Sequence, residues 1–490
     1  MELVHAVESM CNNYGSYVML NDLLKKVNKE NKNIRLDDVR KIVRANADLH
    51  LDRDRVYLER VWQQEEFVAN WLNKLRQRPP FPPVKLPETL QIRGITLTKE
   101  QRDAVALCLN SRLSLLLGKP GSGKTTIAEA IIGYSGAKSL RLCSPTAKAA
   151  INLGDRTGCN ASTLHRALHI FHVNDFLNDQ LILKDVELLI VDEGSMITID
   201  MLGGLLRSVE DSCRIVIIGD ENQLPAVGPG DVIQDLLTLK IPCARLRTNH
   251  RQNPNAKALR RNVEEFKHIR SERNFARDAS FRLFHSSDKE ELMDRLVTEA
   301  AKRYSMNADV RVLTYCRRDV GNLNERIQRI VNPYFPGKQT IQRKEDKNGP
   351  AFTFVNNDRV VFIRNNNAKR YYNGEAGILH IGDDQSYYVE LRNGRKIDFP
   401  PNCDAYMLLP AYATTIHRAQ GGQFDSVLMY VPQMSSILNN RNTIYTGISR
   451  AKQELLLYSD DRAVSFGLQY SAPKRTSSLV EKTLALFCAA

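Results

Sequence analysis

The stretch LSLLLGKPGSGKTT, residues 113–126, sets an apolar run of strand length against a glycine-rich turn and then the helical pattern IAEAII. Leucine at four of its first five positions is what a strand buried on both faces needs. Gly118, Lys119, Pro120, Gly121, Ser122, Gly123, Lys124 and Thr125 then fit the spacing G-x-x-x-x-G-K-[ST], in the strand-to-helix setting that gives the pattern meaning. Glycine lets backbone N–H groups turn inward around phosphate oxygens, and the helix N-terminus adds positive potential. Lys124 is expected to reach the β and γ phosphates of ATP, Thr125 to ligate Mg²⁺, and Thr126 to complete the cradle.

Two further strands end in polar residues. VELLIVDEGSM, residues 186–196, finishes at Asp192 and Glu193. An Asp there can share the Mg²⁺ with Thr125, and the adjacent Glu can orient or deprotonate the attacking water. Alone, such a pair is usually a solvated turn; 67 residues after Thr125 the chemical reading prevails. RIVIIGDENQLPAVGPGDV, residues 214–232, brings Asp220 and Gln223 to the same carboxyl edge, where Gln223 can bond both the γ phosphate and the water. The plainer alternative is a helix cap by Asp220 and a solvated Gln223.

Apolar strands alternate with amphipathic helices through SLRLCS (139–144), DVRVLTY (309–315) and SVLMYV (426–431), which predicts an α/β chain with two parallel sheets. We expect the first α/β domain over 91–240 and the second over 241–349 and 411–465. Between 350 and 410 short alternating strands and Asn-Gly turns predict a small β-barrel-like insertion. RPPFPPVKLPETL, residues 78–90, carries five prolines in 13 residues and reads as an extended linker. Residues 1–77 read as a helical, winged-helix-like domain, with a docking or packing module as the alternative to a DNA reader. Residues 466–490 form a tail expected to end in a docking helix.

At 490 residues and net charge +13 the chain is multidomain and suited to an anionic partner, of which nucleic acid is the first choice. Nine cysteines, without a C-x-x-C pair, fit reduced thiols in a cytosol or nucleus better than disulfides or zinc. Neither a secretory leader nor a run of 18 apolar residues is present, so no membrane partner is expected.

As an ordered set, these residues resemble superfamily 1 helicases of the RecD-like, 5′ to 3′ branch, over roughly residues 90–465. The Leu-Pro-Ala-Val-Gly-Pro-Gly continuation after Gln223 carries most of that resemblance. LTKEQRDAV is similar to the adenine-contacting glutamine motif, with Gln101; SPTAKAA and ASTLHRAL are similar to the strand-contacting motifs, with Thr146, Lys148, Thr163 and His165. LRTNHRQN offers Arg251 as a γ-phosphate contact. ATTIHRAQGGQFDSVLMYV supplies Thr415, His417, Arg418, Gln420 and Gly421, the last taken with the nucleotide-binding residues, and NTIYTGISRAKQ supplies Tyr445 and Arg450. Gly194 stands where the family usually has Ala, and HRAQGG replaces the commoner His-Lys-Ser-Gln-Gly-Ser.

The resemblance implies two RecA-like motor domains, an SH3-like insertion, ATP with Mg²⁺, and action on single-stranded DNA and on junctions between single and double strand. It also implies a separation pin near 170–186, with Phe176 and Leu177 against the last base pair; burial of the same residues in a core is the alternative. Lys369, Arg370, Tyr371 and Tyr372 in the insertion suit phosphates and base faces, with core packing as the rival for both tyrosines. Two other functions stand beside the DNA helicase: an RNA helicase, and an ATP-gated subunit that grips nucleic acid without unwinding it. Protein partners would dock through the N-terminal domain, and either a cell or a virus could encode the chain.

Overall fold

The computed structural model describes residues 2–30, 34–79, 81–170, 172–178, 181–248, 255–346, 349–366, 368–401 and 403–489. Six parallel strands form the first sheet, in the order Cys243–Leu246, Leu113–Gly118, Arg214–Gly219, Leu188–Val191, Leu140–Ser144 and Ala161–Thr163. Strand side chains alternate between faces, so Leu115, Leu117, Val191, Ile215 and Ile217 enter one core while Leu116, Ile190, Val216 and Ile218 enter another. Covering both faces is why these strands read as nearly unbroken aliphatic runs.

The second sheet has five parallel strands, Phe281–Ser286, Ala451–Asp460, Phe424–Val431, Val310–Thr314 and Ala413–Thr415. It too divides its side chains between two cores, with Leu455 and Leu457 in one and Leu456 and Tyr458 in the other. These parallel sheets form the RecA-like core. A five-stranded antiparallel sheet runs Lys396–Phe399, Tyr387–Leu391, Ala376–Ile381, Arg359–Phe362 and Leu408–Pro410. The hairpin of Thr340–Arg343 and Phe352–Val355 packs Ile341, Phe352 and Phe354 into the same core. Tyr371 belongs to that core as well: it is 4% exposed and stacks on Phe362 at 4.1 Å, so its ring is not offered to a base.

At the N-terminus, Glu2–Tyr14, Tyr17–Met19, Leu20–Glu30, Leu36–Ala45, Leu49–Asp52 and Arg55–Leu58 alternate helix, strand, helix, helix, strand, strand, with Arg55–Leu58 central in an antiparallel sheet. The first helix and the three-residue strand escaped the sequence reading, because three residues are too few to show alternation. This unit is no isolated body: Val7, Leu23, Val43 and Val68 share a continuous core with Leu115 and Ile217 of the first sheet. In the proline-rich stretch, Phe81 is held between the guanidinium groups of Arg112 and Arg214, at 4.1 and 4.5 Å from the ring centre.

The expected pin hairpin is not seen among the described residues. Among the described residues between 170 and 186 there is no hairpin; the span holds a 3-10 turn, Val173–Leu177, and an isolated bridge from Leu183 to Val209. Phe176 is 3% exposed and meets the His165 ring edge-on at 5.5 Å. It also fills the space over Gly204, where a Cβ would come within 2.6 Å of its ring. Burying the aromatic ring wins over presenting it to solvent, so Phe176 is a core residue and not a base contact. Phe176→Ala is expected to cost about 3–5 kcal/mol, read by denaturant unfolding; unchanged stability with lost strand separation would reinstate the pin.

Candidate nucleotide cleft and strand groove

The carboxyl ends of the central first-sheet strands open on a cleft of about 730 Å³. Gly121, Gly123, Lys124, Thr125, Thr126, Asp192, Glu193, Asp220 and Gln223 line it from the first lobe, and Gln423 and Arg450 from the second. Gly121 and Gly123 both have φ +87°, a backbone that glycine adopts without strain, and helix Lys124–Tyr134 starts directly after them. Gly118 and Ser122 pack against each other beside the cleft: a Cβ on Gly118 would lie 2.4 Å from the Ser122 hydroxyl oxygen.

Lys124 Nζ donates to the carbonyls of Gly118 and Lys119. Burial pushes its ammonium down, against the fields of Asp220, Asp192 and Glu193. Burial likewise pushes both Asp192 and Glu193 up, and Arg450 is the strongest opposing charge on Glu193. Asp192 accepts from the Glu193 N–H at 2.8 Å. Glu193 itself sits at φ +55°. The departure at Gly194 has a steric cause, since a Cβ there would come within 2.5 Å of Ile217 Cγ2.

Gln223 is 6% exposed and its Oε1 has no partner among the described residues, so the cleft holds a buried acceptor able to take a bond from a ligand or water. Gln101 lines the cleft too, but its Oε1 accepts from the Thr98 N–H at 3.0 Å in a capping box that starts helix Lys99–Asn110. Arg251 lies outside the described residues.

Arg450 is 2% exposed and, among the described residues, donates to neutral acceptors alone: Thr446 O at 3.1 Å, Gly422 O at 3.2 Å and Ser449 Oγ at 3.1 Å. A surface ion pair is thereby ruled out for it. The second lobe also grips the loop that carries Gln223. Tyr445 donates to Asp220 Oδ2 at 2.7 Å, Thr446 Oγ1 accepts from the Leu224 N–H at 2.9 Å, and Gln420 donates to Leu224 O at 3.3 Å. Asn442 donates to the carbonyls of Asn222 and Gln223 at 3.1 and 3.3 Å, while Leu224 itself enters a second-lobe core. Sequence reading missed Asn442 and Thr446, although both lie in the quoted NTIYTGISR; polar residues at helical spacing beside Tyr445 were the available signal.

A groove of about 580 Å³ spans both lobes and the antiparallel sheet. Thr146, Lys148, Thr163 and His165 line it from the first lobe, Arg311, His417, Arg418 and Gln420 from the second, and Asn365 and Asn373 from beside the antiparallel strands. Thr146 and Thr163 are N-caps, accepting from Ala149 and Arg166 N–H groups at 3.3 and 3.2 Å; their hydroxyl protons remain able to donate. Burial pushes the imidazoles of His165 and His417 down, toward the neutral form. Lys148 lies 4.1 Å from the Phe424 ring centre, and burial with Arg311 nearby brings its ammonium down to about 7.

Three expected contacts fall elsewhere. Thr415 does not line the groove; its hydroxyl accepts from the Arg418 N–H at 3.2 Å. Tyr372 is likewise outside it, its hydroxyl accepting from Arg166 at 3.0 Å and so tying the antiparallel unit to the first lobe. Gly421, expected with the nucleotide residues, turns at φ +73° against helix Ala147–Thr157, where a Cβ would lie 2.7 Å from Thr146 Oγ1; Gln423 lines the cleft instead.

A phosphate-type cradle on one parallel sheet, closed by an arginine from a second, defines a two-lobed P-loop nucleotide-binding protein with RecA-like sheets. Family comparison agrees: residues 96–284 match the AAA domain and residues 410–458 the UvrD-like helicase C-terminal domain. Among curated proteins the chain is similar to RecD-type proteins. It is 27% identical to the ATP-dependent RecD2 DNA helicase of Deinococcus radiodurans over 87% of this chain and 58% of that protein, and so spans little more than half of that relative. It is 26% identical to the RecBCD enzyme subunit RecD of Mycolicibacterium smegmatis, over 87% of this chain and 82% of that one. The crystal structure of Bacteroides Pif1 bound to ssDNA shares the fold, with TM-score 0.50 and 22% identity over 76% of this chain and 94% of that chain. No helix among the described residues is long and apolar enough to cross a membrane.

Proposed function

We propose that this chain is an ATP-dependent DNA helicase that moves along single-stranded DNA, 5′ to 3′, and unwinds duplex ahead of it. The observation that carries the proposal is the single cleft lined by Lys124 from one lobe and Arg450 from the other, beside a groove lined by the same two lobes. In this reading Lys124 and Arg450 neutralise the phosphoryl group in transit, Glu193 takes the proton of the attacking water, and Gln223 orients that water. Gln101, Gly121, Gly123, Thr125 and Thr126 hold the nucleotide. Thr125 and Asp192 would hold Mg²⁺, which when bound neutralises phosphate charge; a half-buried Asp192 that, among the described residues, is bonded through a backbone N–H alone fits such a role. Arg251 would add a γ-phosphate contact.

Thr146, Lys148, Thr163, His165, His417 and Arg418 contact the strand backbone in this proposal, with Arg311 added by its place in the groove. The order of helices and strands at the N-terminus supports a winged-helix-like domain over 1–77, and the antiparallel sheet supports an SH3-like insertion over 350–410 between the two parts of motor domain 2. Protein partners would dock on the N-terminal unit, in a cytoplasmic or nuclear setting. Polarity rests on the RecD resemblance.

Burial of Phe176 favours one second reading, an ATP-gated strand-binding subunit that does not unwind. Duplexes with a 5′ or a 3′ single-stranded tail, in DNA and RNA forms, decide between them. Separation from 5′-tailed DNA is expected. Separation only from 3′ tails would reverse the polarity, preference for RNA would change the substrate, and strand-stimulated ATP turnover without separation would favour the second reading.

Lys148 makes strand binding depend on pH. With its free ammonium at about 7 and a phosphate in the groove raising that value, binding takes up a proton on the alkaline side. Affinity for single-stranded DNA is therefore expected to fall from pH 6 to pH 8, and the wild-type drop should shrink in Lys148→Gln when binding is titrated at fixed salt. An equal drop in both proteins would remove Lys148 from the groove's chemistry.

A further inference from the structure

The tail after the second lobe does more than end the chain. Its Ala472 N–H donates to Asn442 Oδ1 at 3.0 Å, on the helix that also carries Tyr445. Arg475 then enters the interior, 8% exposed, and donates to the carbonyls of Ala226 and Gly228 in the Gln223 loop. Its Nη2 also donates to the carbonyls of Asn12 at 3.1 Å and Cys11 at 3.5 Å. Those two carbonyls belong to the last turn of helix Glu2–Tyr14, which has no basic residue of its own there. The last turn of a helix carries partial negative charge on its carbonyls, and although Cys11 O also accepts from the Gly15 N–H at 2.9 Å a cation is favoured at this point.

The residues that follow fix Arg475 in register. Thr476 O accepts from the Ser16 N–H at 2.7 Å, and its hydroxyl donates to Tyr17 O at 2.7 Å. Gly15, at φ +119°, passes so close that a Cβ would lie 2.1 Å from Thr476 O. Ser477 donates to Asp235 at 2.7 Å, and helix Leu479–Ala489 packs against Glu59–Gln77. Among the described residues Arg475 makes no salt bridge; Asp231 is the acidic group whose field favours its charge. Apolar residues fill such a space at lower cost in stability, whereas a guanidinium with four carbonyl acceptors fixes direction between separate segments.

The Gln223 loop is thus held at both ends: residues 222–224 by the second lobe, residues 226 and 228 by Arg475. A cavity of about 500 Å³, lined by Gln223, Pro225, Asn442, Lys474 and Arg475, leaves the loop room to shift between these anchors. We infer that Arg475 is a positioning residue that makes this loop and helix Glu2–Tyr14 move together, so that the nucleotide state of the cleft is transmitted to the N-terminal unit. This rests on the cleft reading given above.

Hydrogen exchange on the full chain, with and without a non-hydrolysable ATP analogue, tests it without any variant. Protection is expected at residues 118–126, which reports nucleotide binding, and also at 12–17, which no nucleotide could touch. Protection at 118–126 with none at 12–17 would overturn the inference, while none at either would instead overturn the cleft reading. In Arg475→Lys the change at 12–17 is expected to disappear while that at 118–126 persists, and the ratio of strand-stimulated to basal ATP turnover should fall about tenfold, in line with the loss of one or two charge-assisted hydrogen bonds. A merely structural role would lower both turnovers together and leave that ratio unchanged, which would also refute the inference.

Discussion

Lys124→Ala is expected to lower ATP turnover about 10³-fold, the scale seen when a preorganised donor to a developing negative charge is removed. The residue is enclosed, its ammonium resting on the carbonyls of Gly118 and Lys119 and surrounded by the fields of Asp192, Glu193 and Asp220. A triphosphate would exchange two weak carbonyl contacts for full negative charge at the same place. Loss of the ammonium leaves the buried carboxylates to repel the phosphates, so nucleotide affinity falls along with turnover. Thr146, Lys148, Thr163 and His165 line a different cavity, and binding of single-stranded DNA should survive in part. Phosphate release and an oligonucleotide titration on the same preparation check both halves; undiminished turnover would refute the P-loop assignment.

Arg450→Ala should cost about 10³-fold or more in turnover, as removal of an arginine that completes a phosphoryl-transfer site does. ATP affinity should change much less, since the first-lobe cradle stays intact. With three neutral acceptors around it and 2% exposure, Arg450 brings a charge that no carboxylate among the described residues cancels by direct contact. Its removal also takes away the strongest charge holding Glu193 ionised against burial. The Glu193 carboxyl therefore rises further, and residual activity should shift to higher pH than in the wild type. Turnover against pH in the two proteins checks this; a loss confined to ATP affinity would place Arg450 in binding alone.

Much of this site was legible because the P-loop spacing carries its own context. A strand, a glycine turn and a helix can be recognised one after another in LSLLLGKPGSGKTT, and parallel strands then deliver Asp192, Asp220 and Gln223 to one edge by topology alone. Arg450 was reachable through an ordered set of motifs. Contacts that depend on tertiary detail were less accessible. Phe176 looked equally suited to a pin or a core, and only Gly204 opposite it decides the matter. Gly421 follows its motif, yet its left-handed turn serves the approach to Thr146 rather than the nucleotide. Arg475 lies in a tail whose composition shows no target, because its acceptors are backbone carbonyls contributed by two distant segments.

The most direct test compares the affinity of one single-stranded DNA oligonucleotide for the chain in saturating ADP and in a saturating non-hydrolysable ATP analogue. If a nucleotide between the lobes controls a groove built from those same lobes, the two dissociation constants should differ about 5- to 150-fold, and the strand should alter nucleotide affinity by the same factor. Equal dissociation constants in both states would contradict the account.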